Sequence, residues 1–182
     1  GVAATVDGEV IAAELIVERV ARLADQPGIG EGQEGQELDE DQIRSDLRAR
    51  ILTQAIFSHI ILESARELDA EPGPEEVAAT RDDLVEQMGG EEESQRQVEA
   101  AGFTEGELEE ELRVLAAVDL IGERLIERGE APSEQQGAPE QMSPATVAAQ
   151  QWLSVRIREA DIQVDQAYGL WDASGQVIPA TG

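Results

Sequence analysis

Residues 3–23, AATVDGEVIAAELIVERVARL, decide the fold. The first four residues are small, apolar or β-branched, which favours a β-strand. The Asp7-Gly8 pair that follows is typical of a tight turn, because glycine tolerates the positive φ that such turns need. Beyond the turn, apolar residues recur among charged ones at helical spacing, at Leu15, Val20 and Leu23. The stretch therefore predicts a strand, a turn and then a helix.

The predicted strand needs a partner, because its backbone N–H and C=O groups cannot stay unpaired. The candidate partner is ADIQVD, residues 160–165, at the other end of the chain. Between these segments the apolar pattern is helical. We therefore predict a mainly α fold, closed by a small β-pairing of the N- and C-terminal strands.

Capping and breaking residues predict where the helices begin and end. Thr104 with Glu107 three residues later has the pattern of a capping box, and Pro72-Gly73-Pro74 stops one helix and starts the next. A turn between two short apolar runs predicts a hairpin over residues 170–178. The main predicted helices cover residues 40–68, 74–88, 91–101, 104–125 and 145–159.

Composition divides the chain into three parts. Residues 129–144 are rich in Pro, Gly and Gln, which is typical of a linker. We predict a helical body with the N-terminal strand at 1–128, the linker at 129–144, and a C-terminal helix, strand and tail at 145–182 that packs on the body.

The charge is strongly acidic, with 40 Asp and Glu against 13 Arg and a net charge of −27. Such a chain repels phosphate backbones and anionic lipids, which argues against nucleic-acid binding. The ordinary interpretation is solubility or adaptation to salt. A second interpretation is that the acidic surface keeps a protein that holds apolar clients from associating with itself.

No catalytic or metal-binding pattern emerges from the residues. The chain has no Cys, and its single His, His59, lies inside a helical pattern where packing is the expected role. Acidic runs such as 91–93 lack the alternating ligands of a calcium loop. We therefore predict no catalytic residues, no metal and no cofactor.

Four segments resemble the N-terminal module of SurA-type and PrsA-type extracytoplasmic chaperones. They are TVDGEVI (5–11) before a helix, ILTQAIFSHIILESARELDAEPGPEEV (51–77), AGFTEGELEEELRVLAAVDLI (101–121) and the closing IQVDQAYGLWDASGQVIP (162–179). The last is similar to the tail of secreted actinobacterial members. In that family a parvulin-type prolyl isomerase domain is inserted near the position of residues 129–144. This linker is too short for it, so we expect no isomerase activity.

The resemblance implies an ATP-independent, extracytoplasmic protein that binds unfolded or newly exported polypeptides. The expected binding surface is a cradle between the long helices, lined by Leu84, Val85, Met88, Phe103 and Leu108. The alternative is a non-chaperone scaffold or adaptor lipoprotein that binds one folded cell-envelope partner. Promiscuous binding of unrelated peptides favours the first function, and a single tight partner favours the second.

Two further expectations concern attachment and assembly. The chain starts without Met, as after removal of a signal peptide, and membrane contact is expected only through a lipid anchor upstream of Gly1. Because the linker could reach in either direction, exchange of the terminal helix and strand would give a domain-swapped homodimer.

Overall fold

The computed structural model describes residues 1–26, 39–133 and 142–180. The strands in these ranges are β1 (Val2–Val6), β2 (Glu9–Ala12), β3 (Ile162–Val164), β4 (Leu170–Asp172) and β5 (Gln176–Ile178). The helices are α1 (Ala13–Ala24), α2 (Glu40–Glu67), α3 (Pro74–Gln87), α4 (Glu91–Ala100), α5 (Glu105–Glu127) and α6 (Pro144–Glu159). The predicted fold class, mainly helical with a small pairing of terminal strands, is confirmed.

The chain divides into two compact units. The first contains Gly1–Phe57 and Arg158–Gly182, and the second contains Ser58–Ile157. Helices α2 and α6 therefore contribute residues to both. The division by composition into 1–128, 129–144 and 145–182 stays a prediction, and residues 134–141 of its linker lie outside the described residues.

In the first unit, β1 is the central strand of an antiparallel sheet with the order β2-β1-β3. The register pairs Ala4 with Val164 and Val6 with Ile162. Beyond the ladder, the Asp7 amide donates to the Asp161 carbonyl at 2.8 Å. The predicted pairing of the two ends of the chain is thus confirmed, and it satisfies the backbone groups of β1.

The β1–β2 hairpin was not part of the sequence prediction, which passed directly from the turn to a helix. Asp7 and Gly8 both have positive φ, 51° and 88°. Positive φ at both central residues is the geometry of a type I′ turn, whose twist matches that of two paired strands. Residues 9–12 consequently pair with β1, with Val10 opposite Thr5, before α1 begins.

The predicted hairpin near the C-terminus is formed by β4 and β5, which pair Trp171 with Val177. Two contacts attach it to the first half of α2. The Val177 amide donates to Thr53 Oγ1 at 2.9 Å. The rings of Phe57 and Trp171 meet edge to face, with centroids 6.1 Å apart. One face of the hairpin is thereby fixed on the helix.

The second unit has a core built from small and branched side chains. In this unit α5 and the start of α6 approach so closely that a Cβ on Gly122 would lie 1.8 Å from the Ala145 carbonyl oxygen. Trp152 is half-buried and packs against this core. The buried members of the core are Ala65, Leu68, Ala70, Ala117, Ile121, Leu125, Ala149 and Leu153.

The C-terminus of α2 is held by arginines of α5. Asp69 follows the helix with a φ of 53°, in the left-handed conformation that commonly ends a helix. Arg124 Nη2 donates to the Asp69 carbonyl at 2.7 Å, and Arg128 Nη2 to the Leu68 carbonyl at 3.4 Å. Cations at this position also stabilise the negative end of the helix dipole.

Candidate functional site

A groove lies in the second unit between the start of α3 and the start of α5. Its volume is about 560 Å³, within the range of roughly 300–1,000 Å³ that is usual for ligand sites. The lining combines apolar, glycine and charged residues. They are Pro72, Gly73, Pro74, Val77, Ala78 and Arg81 on one side, and Glu105, Gly106, Glu109, Leu112 and Arg113 on the other.

The α3 side of the groove is built by the Pro-Gly-Pro turn. Pro74 is the first residue of α3, where its missing N–H costs no helical hydrogen bond. The amide of Gly73 donates to Glu76 Oε2 at 2.9 Å, so the carboxylate in the first turn satisfies the backbone just before the helix. None of the residues of α3 is fully buried. This helix is therefore held by shallow contacts.

The α5 side of the groove is fixed by a reciprocal cap. The Glu107 amide donates to Thr104 Oγ1 at 3.2 Å, and the Thr104 amide donates to Glu107 Oε2 at 3.0 Å. This is the predicted capping box, and it places Glu105 and Gly106 at the edge of the groove. A Cβ on Gly106 would meet nothing within 4 Å, so the groove is open at this point.

The floor of the groove is apolar and its rim is charged. Leu112 is only 2% exposed, and Val77 is half-buried opposite it in the lining. On the rim, Arg113 Nη2 lies 3.5 Å from Glu109 Oε1, and both side chains are exposed to solvent. Such a surface pair is worth little, so both groups are accessible to a ligand at small cost.

Arg81 occupies an unusual position in α3. The four residues one helical turn away from it are Val77, Ala78, Leu84 and Val85, none of which is charged. A long arginine side chain covers such an apolar stripe with its methylene groups while its guanidinium reaches the solvent. Arg81 is exposed and lines the groove, so it adds a cation at the edge of the groove.

The five residues predicted to form a cradle are all half-buried. Of the described residues that line the groove, none belongs to this set. Leu84 and Val85 follow Val77 and Ala78 by seven residues, so they continue the same face of α3 beyond the groove. Met88 comes directly after α3. Phe103 lies just before α5 and Leu108 lies in its first turns. The cradle formed by the five residues stays a prediction.

Sequence reasoning missed the groove although it noted some of its parts. Pro72-Gly73-Pro74 was interpreted only as the end of one helix and the start of the next, and Gly106 was given no role. A glycine as the second residue of a well-capped helix is a usable signal, because nothing in the capping pattern requires it there.

The described residues contain no group of three or more His, Asp or Glu side chains that could hold a metal ion. His59 is half-buried in α2. No helix in the described ranges is long and apolar enough to cross a membrane.

Comparison with known proteins gives no match, whether to protein-family models, to curated proteins or to solved structures. The resemblance to SurA-type chaperones is therefore carried by the four sequence segments alone.

Proposed function

We propose that this protein binds unfolded or newly exported polypeptides outside the cytoplasm without ATP, and that their apolar segments enter the groove between α3 and α5. The observation that carries this proposal is the open groove with an apolar floor, lined by Val77, Ala78 and Leu112. An apolar floor with few fixed polar groups suits side chains of many sequences.

The shallow packing of α3 supports this function. Because none of the α3 residues is fully buried, a shift of this helix loses few buried contacts. A groove with one adjustable wall can accept side chains of different sizes. The resemblance to SurA-type modules points to the same class of ligand.

The acidic surface also supports the proposed binding of unfolded polypeptides. A protein with an exposed apolar groove risks association with itself, and a net charge of −27 opposes that association by repulsion between copies.

A second candidate function is that of an adaptor with one folded cell-envelope partner. Leu170 and Ile178 are paired across the β4–β5 hairpin and are 69% and 46% exposed. The opposite face of the hairpin is fixed on α2 through Thr53 and Phe57. A small, rigid apolar pair suits a preformed partner surface better than an extended chain.

The first function is tested by suppression of aggregation of a chemically unfolded client at a near-equimolar ratio. Gly106→Trp should remove protection, because the indole would occupy the groove from a position with open space. Gly106→Ala is the matched control and should protect as well as the wild type. Protection by Gly106→Trp equal to the wild type would exclude the groove as the binding site.

A second variant tests whether the exposed hairpin pair takes part in client binding. Changing Leu170 and Ile178 to Ser should leave aggregation suppression intact if the groove binds clients. A wild-type protein that protects no client at any salt concentration would refute the chaperone function and leave the hairpin surface as the next candidate.

A further inference from the structure

We infer that the groove selects one class of client segment, namely apolar residues flanked by Lys or Arg. This inference rests on the proposed function and concerns the specificity of the same groove. It follows from the distribution of charge around the groove.

The segment that forms this site carries much of the negative charge of the chain, although the lining itself balances Glu105 and Glu109 with Arg81 and Arg113. The segment from Glu71 to Arg113, which supplies all of the described lining residues, holds 15 carboxylates and three arginines, a net charge of −12. The other 139 residues together carry −15. Less than a quarter of the chain therefore holds almost half of the net charge.

These carboxylates are available to a ligand. Twelve of the 15 are exposed, and the remaining three are half-buried. Among the described residues, Arg66 pairs with Glu71 at 3.3 Å, Arg96 with Glu93 at 3.2 Å and Arg113 with Glu109 at 3.5 Å. These pairs are exposed and weak, so most of the negative charge around the groove is uncompensated.

The floor of the groove favours apolar groups of a ligand, and the carboxylates around it favour cationic groups. Charged groups cannot enter the apolar floor at Val77 and Leu112 without losing hydration. A Lys or Arg beside an apolar residue satisfies both regions, because its methylene stem lies along apolar surface while its charged end reaches the carboxylates. An acidic client is repelled before it reaches the floor.

The test uses three fluorescent peptides with one apolar core and with Arg, Ser or Glu flanks. Binding is measured by fluorescence anisotropy at ~10 mM and ~1 M salt, where the Debye length falls from about 30 to about 3 Å. At low salt the Arg-flanked peptide should bind on the order of tenfold tighter than the Ser-flanked one, and the Glu-flanked peptide weakest. At high salt the three affinities should converge on that of the Ser-flanked peptide.

Two double variants with equal net charge locate the effect. Glu105→Gln with Glu109→Gln removes two carboxylates from the rim, whereas Glu123→Gln with Glu130→Gln removes two exposed ones elsewhere in the second unit. The rim variant should reduce the preference for Arg flanks about threefold. The other variant should leave it within error of the wild type.

The outcomes separate this inference from the proposed function. Equal binding of all three peptides at both salt concentrations would overturn the charge selection and leave the chaperone function standing. Binding of none of them would overturn the proposed function itself. If Gly106→Trp bound the Arg-flanked peptide as tightly as the wild type, the charge effect would lie outside the groove and the inference would fail.

Discussion

Helix α5 contains two glycines with opposite surroundings, and replacing each by alanine should change stability in opposite directions. A Cβ on Gly122 would lie 1.8 Å from the carbonyl oxygen of Ala145 and 2.3 Å from its carbonyl carbon. A Cβ on Gly106 would meet no atom within 4 Å. Helix propensity alone favours alanine over glycine by about 1 kcal/mol in the interior of a helix.

The geometry reverses this preference at Gly122. Ordinary van der Waals contact begins near 3.4 Å, so the helices must separate by about 1.6 Å at this point. The obstacle is backbone, which no change of rotamer can move away. Overpacking typically costs 1–3 kcal/mol and occasionally more. After the gain in propensity, we expect a net loss of about 2 kcal/mol for Gly122→Ala and a gain of about 0.5 kcal/mol for Gly106→Ala.

Thermal and urea unfolding measure both effects. In a protein of this size, 1 kcal/mol corresponds to about 2–4 °C in Tm, so Gly122→Ala should unfold about 4–8 °C below the wild type. Gly106→Ala should unfold at or slightly above the wild-type temperature. If Gly122→Ala were as stable as Gly106→Ala, the close approach of α5 and α6 would be refuted.

Three further changes test other parts of the structure. Ser64→Ala removes a fully buried hydroxyl that has no hydrogen-bond partner among the described residues, and should raise the free energy of unfolding by about 1 kcal/mol; a loss would show that the hydroxyl is paired. Arg124→Ala deletes the hydrogen bond to the Asp69 carbonyl and should lower that free energy by about 1 kcal/mol in urea unfolding, whereas an unchanged value would exclude the cap. Hydrogen bonds from the Ser174 hydroxyl and amide lower the pKa of Asp172, so its stabilising effect is present above its unfolded pKa and is lost as pH falls through the folded pKa. NMR titration should show a higher pKa for Asp172 in Ser174→Ala, and an unchanged pKa would contradict this assignment.

The positions of the helices could be predicted because capping and helix-breaking residues mark their ends. Thr104 and Glu107 form the expected capping box, and Pro74 begins α3 as predicted. The pairing of the termini was also predictable, since a strand of four or five residues needs a partner and residues 160–165 offered one. The helix ends follow from rules that act over a few residues. The pairing of the termini follows from the need of a strand for a partner.

The β1–β2 hairpin was missed for a specific reason. The Asp7-Gly8 turn was predicted, but Val10 and Ile11 were assigned only to the exit from that turn, and the helical pattern was placed directly after them. The positive φ of both turn residues returns the chain along β1, so residues 9–12 pair as a strand first. A two-residue turn signal between two apolar runs therefore predicts a second strand as well as the turn.

The candidate site could not be located from the sequence, because it depends on how two helices lie against each other. Periodicity identifies the face of α3 that carries Val77, Ala78, Leu84 and Val85, but not the part of that face that α5 leaves open. The predicted cradle therefore included Leu84 and Val85, near the end of α3, whereas the groove is lined by Val77 and Ala78, near its start. Which part of the α3 face stays open depends on the contacts between α3 and α5, and composition does not reveal these contacts.

The two glycines of α5 also determine how functional variants must be interpreted. Gly122 lies where two backbones touch, so any side chain there disturbs the second unit, and the proposed binding with it. Gly106 lines the groove in open space, so a large side chain there blocks the groove without disturbing the core. Loss of client protection in Gly122→Ala would therefore say nothing about the groove. The same loss in Gly106→Trp, with the unfolding temperature unchanged, would assign binding to it.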